Sequence, residues 1–201
     1  MKKQMNKQPS RNIIDDTLNS LKESKKLAEL STENPDDFIF CQIIDYNDDF
    51  TLVRRIVTDN GQFDGYSLLF TGNIRTISWD GELLGQLEIL LEDCNKEKTE
   101  SIDKISDINI DSHFFKTIKR INSLFGHISV YDSTHPEDFY FGQVKDIDEY
   151  CILMSLMGDK SIMDDKNIVL RLEDIGRIDF GGIYDENMLK LHRLKKRIKN
   201  R

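Results

Sequence analysis

Pro35-Asp36-Asp37-Phe38-Ile39-Phe40-Cys41-Gln42-Ile43-Ile44-Asp45 and Pro136-Glu137-Asp138-Phe139-Tyr140-Phe141-Gly142-Gln143-Val144-Lys145-Asp146 are one segment written twice, 101 residues apart. Pro, Asp, Phe, Phe, Gln and Asp recur at matching places. The correspondence runs on without a gap: Leu52 falls on Leu153, Asp64 on Asp165, Leu69 on Leu170, Ile74 on Ile175, Ile77 on Ile178, Gly81 on Gly182 and Leu90 on Leu191. That makes 13 identities over the 57 positions 34–90, where average composition gives about one match in sixteen. Trp79 on Phe180 and Val53 on Met154 are conservative exchanges. The chain therefore carries an internal duplication, and a period this long marks two tandem domains rather than a solenoid.

Within a copy the signals are those of strands. Asp37–Tyr46 and Asp138–Ile147 are rich in Phe, Ile and Val and end in acidic turn residues, so Phe50–Val57 and Tyr150–Met157 complete hairpins. Tyr66–Phe70 and Asn167–Leu172 follow as third strands, Ile74–Trp79 and Ile175–Phe180 as fourth. The period then changes. Leu83, Leu87, Leu90 and Cys94 step by helical intervals, as do Tyr184, Met188, Leu191, Leu194 and Ile198. Two further helices are expected, one within Asn12–Leu30 and one along Phe114, Ile118, Ile121 and Phe125, the latter stopped by Gly126. The organisation expected is a tail and helix (1–33), a first module with its trailing helix (34–94), an acidic linker (95–112), a helix and connector (113–134), and a second module with a basic C-terminal helix (135–201).

The composition is that of a globular chain with 38% hydrophobic and 32% charged residues, and a core divided into two small ones is expected. No run is apolar enough to span a bilayer, and the basic start Met1–Lys7 lacks a signal core, so the expectation is a cytoplasmic protein. Cys41, Cys94 and Cys151 make neither a disulfide framework nor a metal knuckle. Charge is uneven. Residues 34–90 carry ten acids against three bases, residues 135–186 thirteen against five, and residues 187–201 seven bases and no acid. Both modules repel phosphate backbones, and the basic tail is the exception.

Candidate sites each have a plainer reading. Asp45-Tyr46-Asn47-Asp48-Asp49 has the D-x-N-x-D spacing of a calcium loop, but Phe50 and Ile56 stand where that loop needs Gly and Glu, so it reads as a hairpin turn. His113, His127, His135 and His192 show no metal spacing. The repeated acids Asp37/Asp138 and Asp64/Asp165 suit turns and caps better than paired catalytic carboxylates, since one active site rarely needs the same residue twice. Gly181-Gly182 precedes a helix, as an anion seat would, but Asp80-Gly81 stands in its place in copy one. Arg54 and Arg55, whose counterparts are Ser155 and Leu156, mark either a binding face or a solvated strand end. Arg193, Lys195, Lys196 and Arg197 either touch RNA or favour the C-terminal end of the helix dipole.

Phe139-x-Phe141-Gly142-x-Val144, a hairpin, a third strand, and then Glu173-Asp174-Ile175-x-x-Ile178 resemble the small SH3-like barrels, and among them the Sm-like family. The likeness covers about half of the chain. It implies an α+β, mainly β fold of two tandem antiparallel SH3-like (Sm-like) barrels, each followed by an amphipathic helix, with extra helices before each copy. In that family barrels assemble into rings and bind single-stranded RNA at two motifs, Asp-x-x-Met-Asn and Ile/Leu-Arg-Gly. Neither stands here: the second place holds Gly72-Asn73-Ile74-Arg75-Thr76 in copy one and Asp174-Ile175-Gly176-Arg177-Ile178 in copy two, so no RNA-binding residue is carried over. The chain is also similar to bacterial proteins built of such repeats, which implies no particular activity.

Three functions follow as expectations. The first is a non-enzymatic interaction or adaptor protein that docks a protein partner or another copy of itself. The second is an Sm-like RNA-binding protein using Arg54, Arg55, Arg193, Lys195, Lys196 and Arg197. The third is an enzyme with a site between the copies, which no motif supports. No cofactor or metal is expected.

Overall fold

The structure, a computed structural model, describes residues 12–32, 38–95, 108, 110, 113–133, 139–158 and 166–199. Helix α1 (Ile13–Ser24) starts where the Asn12 side chain accepts the amide of Ile14, and it ends at Lys25, which takes a left-handed conformation. Asp15 and Asp16 occupy the first turn, where acids favour the positive end of the helix dipole. Strand β1 (Leu27–Ser31) follows, then β2 (Phe38–Tyr46), β3 (Phe50–Val57), β4 (Gln62–Phe70), β5 (Thr76–Trp79) and helix α2 (Glu82–Asn95). Copy two repeats the order: α3 (Phe114–Phe125), β6 (Ile128–Asp132), β7 (Phe139–Ile147), β8 (Cys151–Gly158), β9 (Asn167–Arg171), β10 (Ile175–Phe180) and α4 (Ile183–Lys199). Helix α3 stops at Gly126, whose positive φ of 77° lets its amide return to the Asn122 carbonyl.

Equivalent hairpins are closed by equivalent side chains. Asn47 Oδ1 accepts the amides of Asp49 and Phe50, and Asp148 Oδ1 accepts those of Tyr150 and Cys151. The first stretch that resembled a calcium loop is thus a turn, built as the sequence suggested. From Cys41 and Gly142 onward the β2–β3 and β7–β8 registers match, including the irregularities before Asp45 and Asp146; β7–β8 adds a second irregularity between Phe141 and Gly142. The repeat also reaches further back than position 34. Leu18 and Leu21 on α1 correspond to Ile118 and Ile121 on α3, and Leu30 on β1 to Val130 on β6, a spacing one residue short of 101.

The two barrels expected from the sequence do not form. The ten strands of the described residues make one open antiparallel sheet in the order β5-β1-β2-β3-β4-β10-β6-β7-β8-β9. Each copy contributes five strands ordered fifth, first, second, third, fourth, so its fourth and fifth strands lie at opposite margins. Instead of curling onto its own β5, β4 gives its outer edge to β10 of the other copy. Strand edges are unsatisfied backbone, and this pairing satisfies two at once. The first strand of each set, beyond the four expected, comes from regions expected to be helix or connector: β1 lies within 1–33 and β6 within 113–134. Most of the 95–112 linker lies outside the described residues.

Nor is the core divided between the copies. The largest cluster draws Phe50, Leu52, Tyr66 and Leu68 from copy one, and Ile118, Ile121, Ile178 and Phe180, among others, from copy two. Two smaller clusters belong to copy one: Leu18, Leu21, Leu30, Cys41 and Ile74 under α1, and Leu27, Ile56, Leu84 and Leu87 under α2. The strand patterns predict burial of Phe40, Leu52, Leu69, Ile74 and Ile77 and of Phe141, Leu153, Leu170, Ile175 and Ile178; of these, Leu52, Leu69, Ile74, Phe141, Ile175 and Ile178 are buried. Phe40, Ile77, Leu153 and Leu170 are half-buried.

Because the largest core is shared, damage in copy two should unfold copy one. Phe141→Ala is expected to cost about 3–5 kcal/mol and to lower the thermal midpoint of the whole chain in one transition. Calorimetry that resolves a native-like copy-one transition in this variant would contradict a shared core.

Candidate functional site

Polar chemistry concentrates where the copies meet. Along the β4–β10 seam, Tyr66 lies opposite Phe180, Ser67 opposite Asp179, Leu68 opposite Ile178 and Leu69 opposite Arg177. On one face Tyr66 stacks on Phe180 with ring centroids 5.7 Å apart, and Phe125 of α3 closes over Phe180 at 5.0 Å. On the other face Asp179, 2% exposed, receives the Ser67 hydroxyl on Oδ1 at 2.6 Å and Arg55 Nη1 on Oδ2 at 2.8 Å. Arg177 Nε lies 3.2 Å from Oδ1, and its guanidinium covers the Tyr131 ring at 4.1 Å. A carboxylate this deep is tolerated because charged and neutral donors surround it.

The seam also organises the start of α4. Asp64 Oδ1 accepts the Ile183 amide from across the junction at 2.6 Å. Asp185 accepts the Ser129 hydroxyl at 3.0 Å and the Gly182 amide at 3.3 Å. Gly65 explains how the backbones come this close: it has φ of 71°, and a Cβ there would stand 2.7 Å from the Phe180 carbonyl oxygen. Burial pushes the Asp185 carboxyl up to about 6, against the opposing hydrogen bonds from Ser129 and Gly182; Asp179 adds to the rise and Arg55 reduces it. Nearby, burial lowers the His127 imidazole.

The arrangement holds the two copies together, and its acids are taken up by partners of the seam itself. Both oxygens of Asp179 are engaged, and those of Asp185 bind a hydroxyl and an amide. The Gly181-Gly182 turn, which resembled an anion seat, directs its Gly182 amide to Asp185 instead. Among the described residues no group of three or more His, Cys, Asp and Glu side chains is arranged to hold a metal. Cys41 is buried, and burial raises its thiol far above the reactive range. No helix of the described residues is long and apolar enough to cross a membrane.

The sequence-derived candidates scatter. Arg55 belongs to the seam, while its neighbour Arg54 stacks over Phe63 at 3.9 Å. Arg193 and Arg197 are exposed on α4, and the side chains of Lys195 and Lys196 lie outside the described residues. Asp64 is a cap, as its repetition suggested, whereas Asp37, His135, Asp138 and Asp165 lie outside the described residues. Sequence reading missed Ser67, Arg177, Asp179 and Asp185. Their signal is a mismatch between copies: Asp179 aligns with Ser78, Arg177 with Thr76, and buried Asp185 with buried Leu84.

The outer margins are the second feature. Among the described residues, strand β5 pairs only with β1, and β9 only with β8. Trp79 is 45% exposed and Val169 62%, although their counterparts Phe180 and Leu68 are sealed in the seam. A cleft of about 270 Å³ opens beside β9, lined by Val130, Tyr131, Val169, Leu170 and Ile175 among others. Comparison with protein-family models, with curated proteins and with solved structures finds no match for this chain.

Asp185 supplies a pH test. Its folded pKa lies above the ordinary carboxylate value, so its contribution is fully present below about pH 4 and is lost as pH rises through about 6. Asp185→Asn removes that loss. Urea unfolding is expected to show the variant gaining on the native chain between pH 4.5 and pH 7.5, by on the order of 2 kcal/mol. A difference independent of pH would contradict the buried, titrating carboxyl.

Proposed function

We propose that the chain is a non-enzymatic interaction or adaptor protein that takes up other protein by strand addition at the two outer margins of its sheet. One observation carries this reading. Phe180 and Leu68 are sealed within the seam, and their counterparts Trp79 on β5 and Val169 on β9 are exposed beside a strand edge that is unpaired among the described residues. Natural sheets protect their edges with charge, proline or covering elements, and an edge left apolar suits β-augmentation, in which backbone hydrogen bonds give affinity and side-chain pockets give specificity.

RNA binding is the second reading, and less supports it. Its basic residues do not gather: Arg55 is committed to Asp179 and Arg54 to Phe63, leaving the α4 cations alone on a chain of net charge −8. An enzyme between the copies has less still, since the junction acids are consumed by their own partners.

A salt-dependent gel shift with short RNA separates the first two. The interaction reading expects no submicromolar binding at about 0.15 M salt. Submicromolar binding that disappears on combined Lys195→Glu, Lys196→Glu and Arg197→Glu substitution would replace it with the RNA reading.

A further inference from the structure

We infer that the partner of each free margin is a second copy of this chain: β9 of one chain pairs antiparallel with β5 of the next, joining chains head to tail. The inference rests on the interaction reading above and names its partner.

The seam inside the chain is the template. There, the fourth strand of one copy pairs with the fifth strand of the other. The two strands left over, β5 and β9, are the fifth strand of copy one and the fourth strand of copy two. They are thus the complementary halves of a contact the chain already makes once. Carrying the internal register over by the 101-residue repeat gives Thr76↔Leu170, Ile77↔Val169, Ser78↔Ile168 and Trp79↔Asn167. Val169 would lie opposite Ile77 as Leu68 lies opposite Ile178, and both members of the internal pair are buried. On β4, where the edge is paired, Leu68 and Leu69 are each 1% exposed, whereas Val169, the counterpart of Leu68 on β9, is 62% exposed beside a cleft.

The new contact differs from the template in a consistent direction. Arg55, Ser67, Arg177 and Asp179 of the internal seam are replaced by Leu156, Ile168, Thr76 and Ser78. The contact between chains is therefore uncharged where the internal one is ionic. A strand with Ile168 in place of Ser67 would leave Asp179 without its hydroxyl donor, and such an unpaired group disfavours exchange of the two contacts. Lys166 stands where Gly65 permits close approach, so the chains separate beyond the Trp79–Asn167 pair. By the same equivalence its ammonium falls near Asp80 and Glu82 of the next chain.

A contact between two different surfaces leaves a free end on each side, so assembly does not stop at a dimer unless the rotation closes there. Light scattering on the full chain, with a concentration series, is the first measurement. Masses above twice the 23.5 kDa monomer are expected. Val169→Lys, at a site exposed in the single chain, should return the protein to monomer with an unchanged melting curve at low concentration. The second measurement fixes the register. Chains carrying Val169→Cys and chains carrying Ile77→Cys are oxidised separately and as a mixture, and disulfides are mapped by mass spectrometry. A 77–169 bond found only in the mixture supports the inference. A native chain that stays monomeric at high micromolar concentration overturns it, as does an oligomer linked 169 to 169. A monomer that binds no RNA sinks the second copy alone and leaves the interaction reading standing. RNA binding lost with the α4 charges sinks that reading itself.

Discussion

The pairing of β4 with β10 is the constraint on which the rest of this molecule depends. It fuses two five-stranded sets into one sheet and places the largest core across the boundary between copies. A unit of about 60 residues buries too little surface to be secure alone. Sharing Leu68, Tyr66, Ile178 and Phe180 between the copies removes that weakness. The same pairing decides the shape, because a β4 edge given to the other copy is no longer available to close a barrel.

Specificity at this seam comes from its ionic face. Asp179 is buried with Ser67, Arg55 and Arg177 around it, and none of these four has a like counterpart in the other copy. A buried ion cluster is a poor source of stability but penalises any pairing that leaves one member unmatched. The seam is therefore selective for its own two strands, while β5 and β9 carry Thr76, Ser78 and Ile168 where the seam has its charged and hydroxyl partners. Trp79 on β5 and Val169 on β9, whose counterparts Phe180 and Leu68 are buried in the seam, stand exposed.

Much of this was legible in sequence, and the failures have physical causes. The repeat from Pro35 to Leu90 was readable because hairpin registers, Asn47 and Asp148 turns, and core positions all keep one spacing. The front of the repeat was not, since α1 and β1 are displaced by one residue relative to α3 and β6, which erases matches at a fixed offset. Most of β1 was absorbed into a helix expected within Asn12–Leu30 because Ala28, seven residues after Leu21, extends the apolar stripe of α1; Lys25, left-handed at φ of 56°, breaks it. Closure into barrels was unreadable. Strand signals do not say which edge a strand will choose, and Leu68-Leu69, buried on both faces, was the one hint of a central position. The half-exposure of Ile77, Leu153 and Leu170 reflects their place near the sheet margins rather than a failure of hydrophobic pattern.

Native-state hydrogen exchange at the seam tests the continuous sheet most directly. With β4 and β10 paired at the centre, the seam amides of residues 66–69 and 177–180 should exchange only through global unfolding, at one common free energy for both copies. Two separate opening free energies, or rapid exchange along β4 and β10 while β2, β3, β7 and β8 stay protected, would show two independent modules and contradict the account.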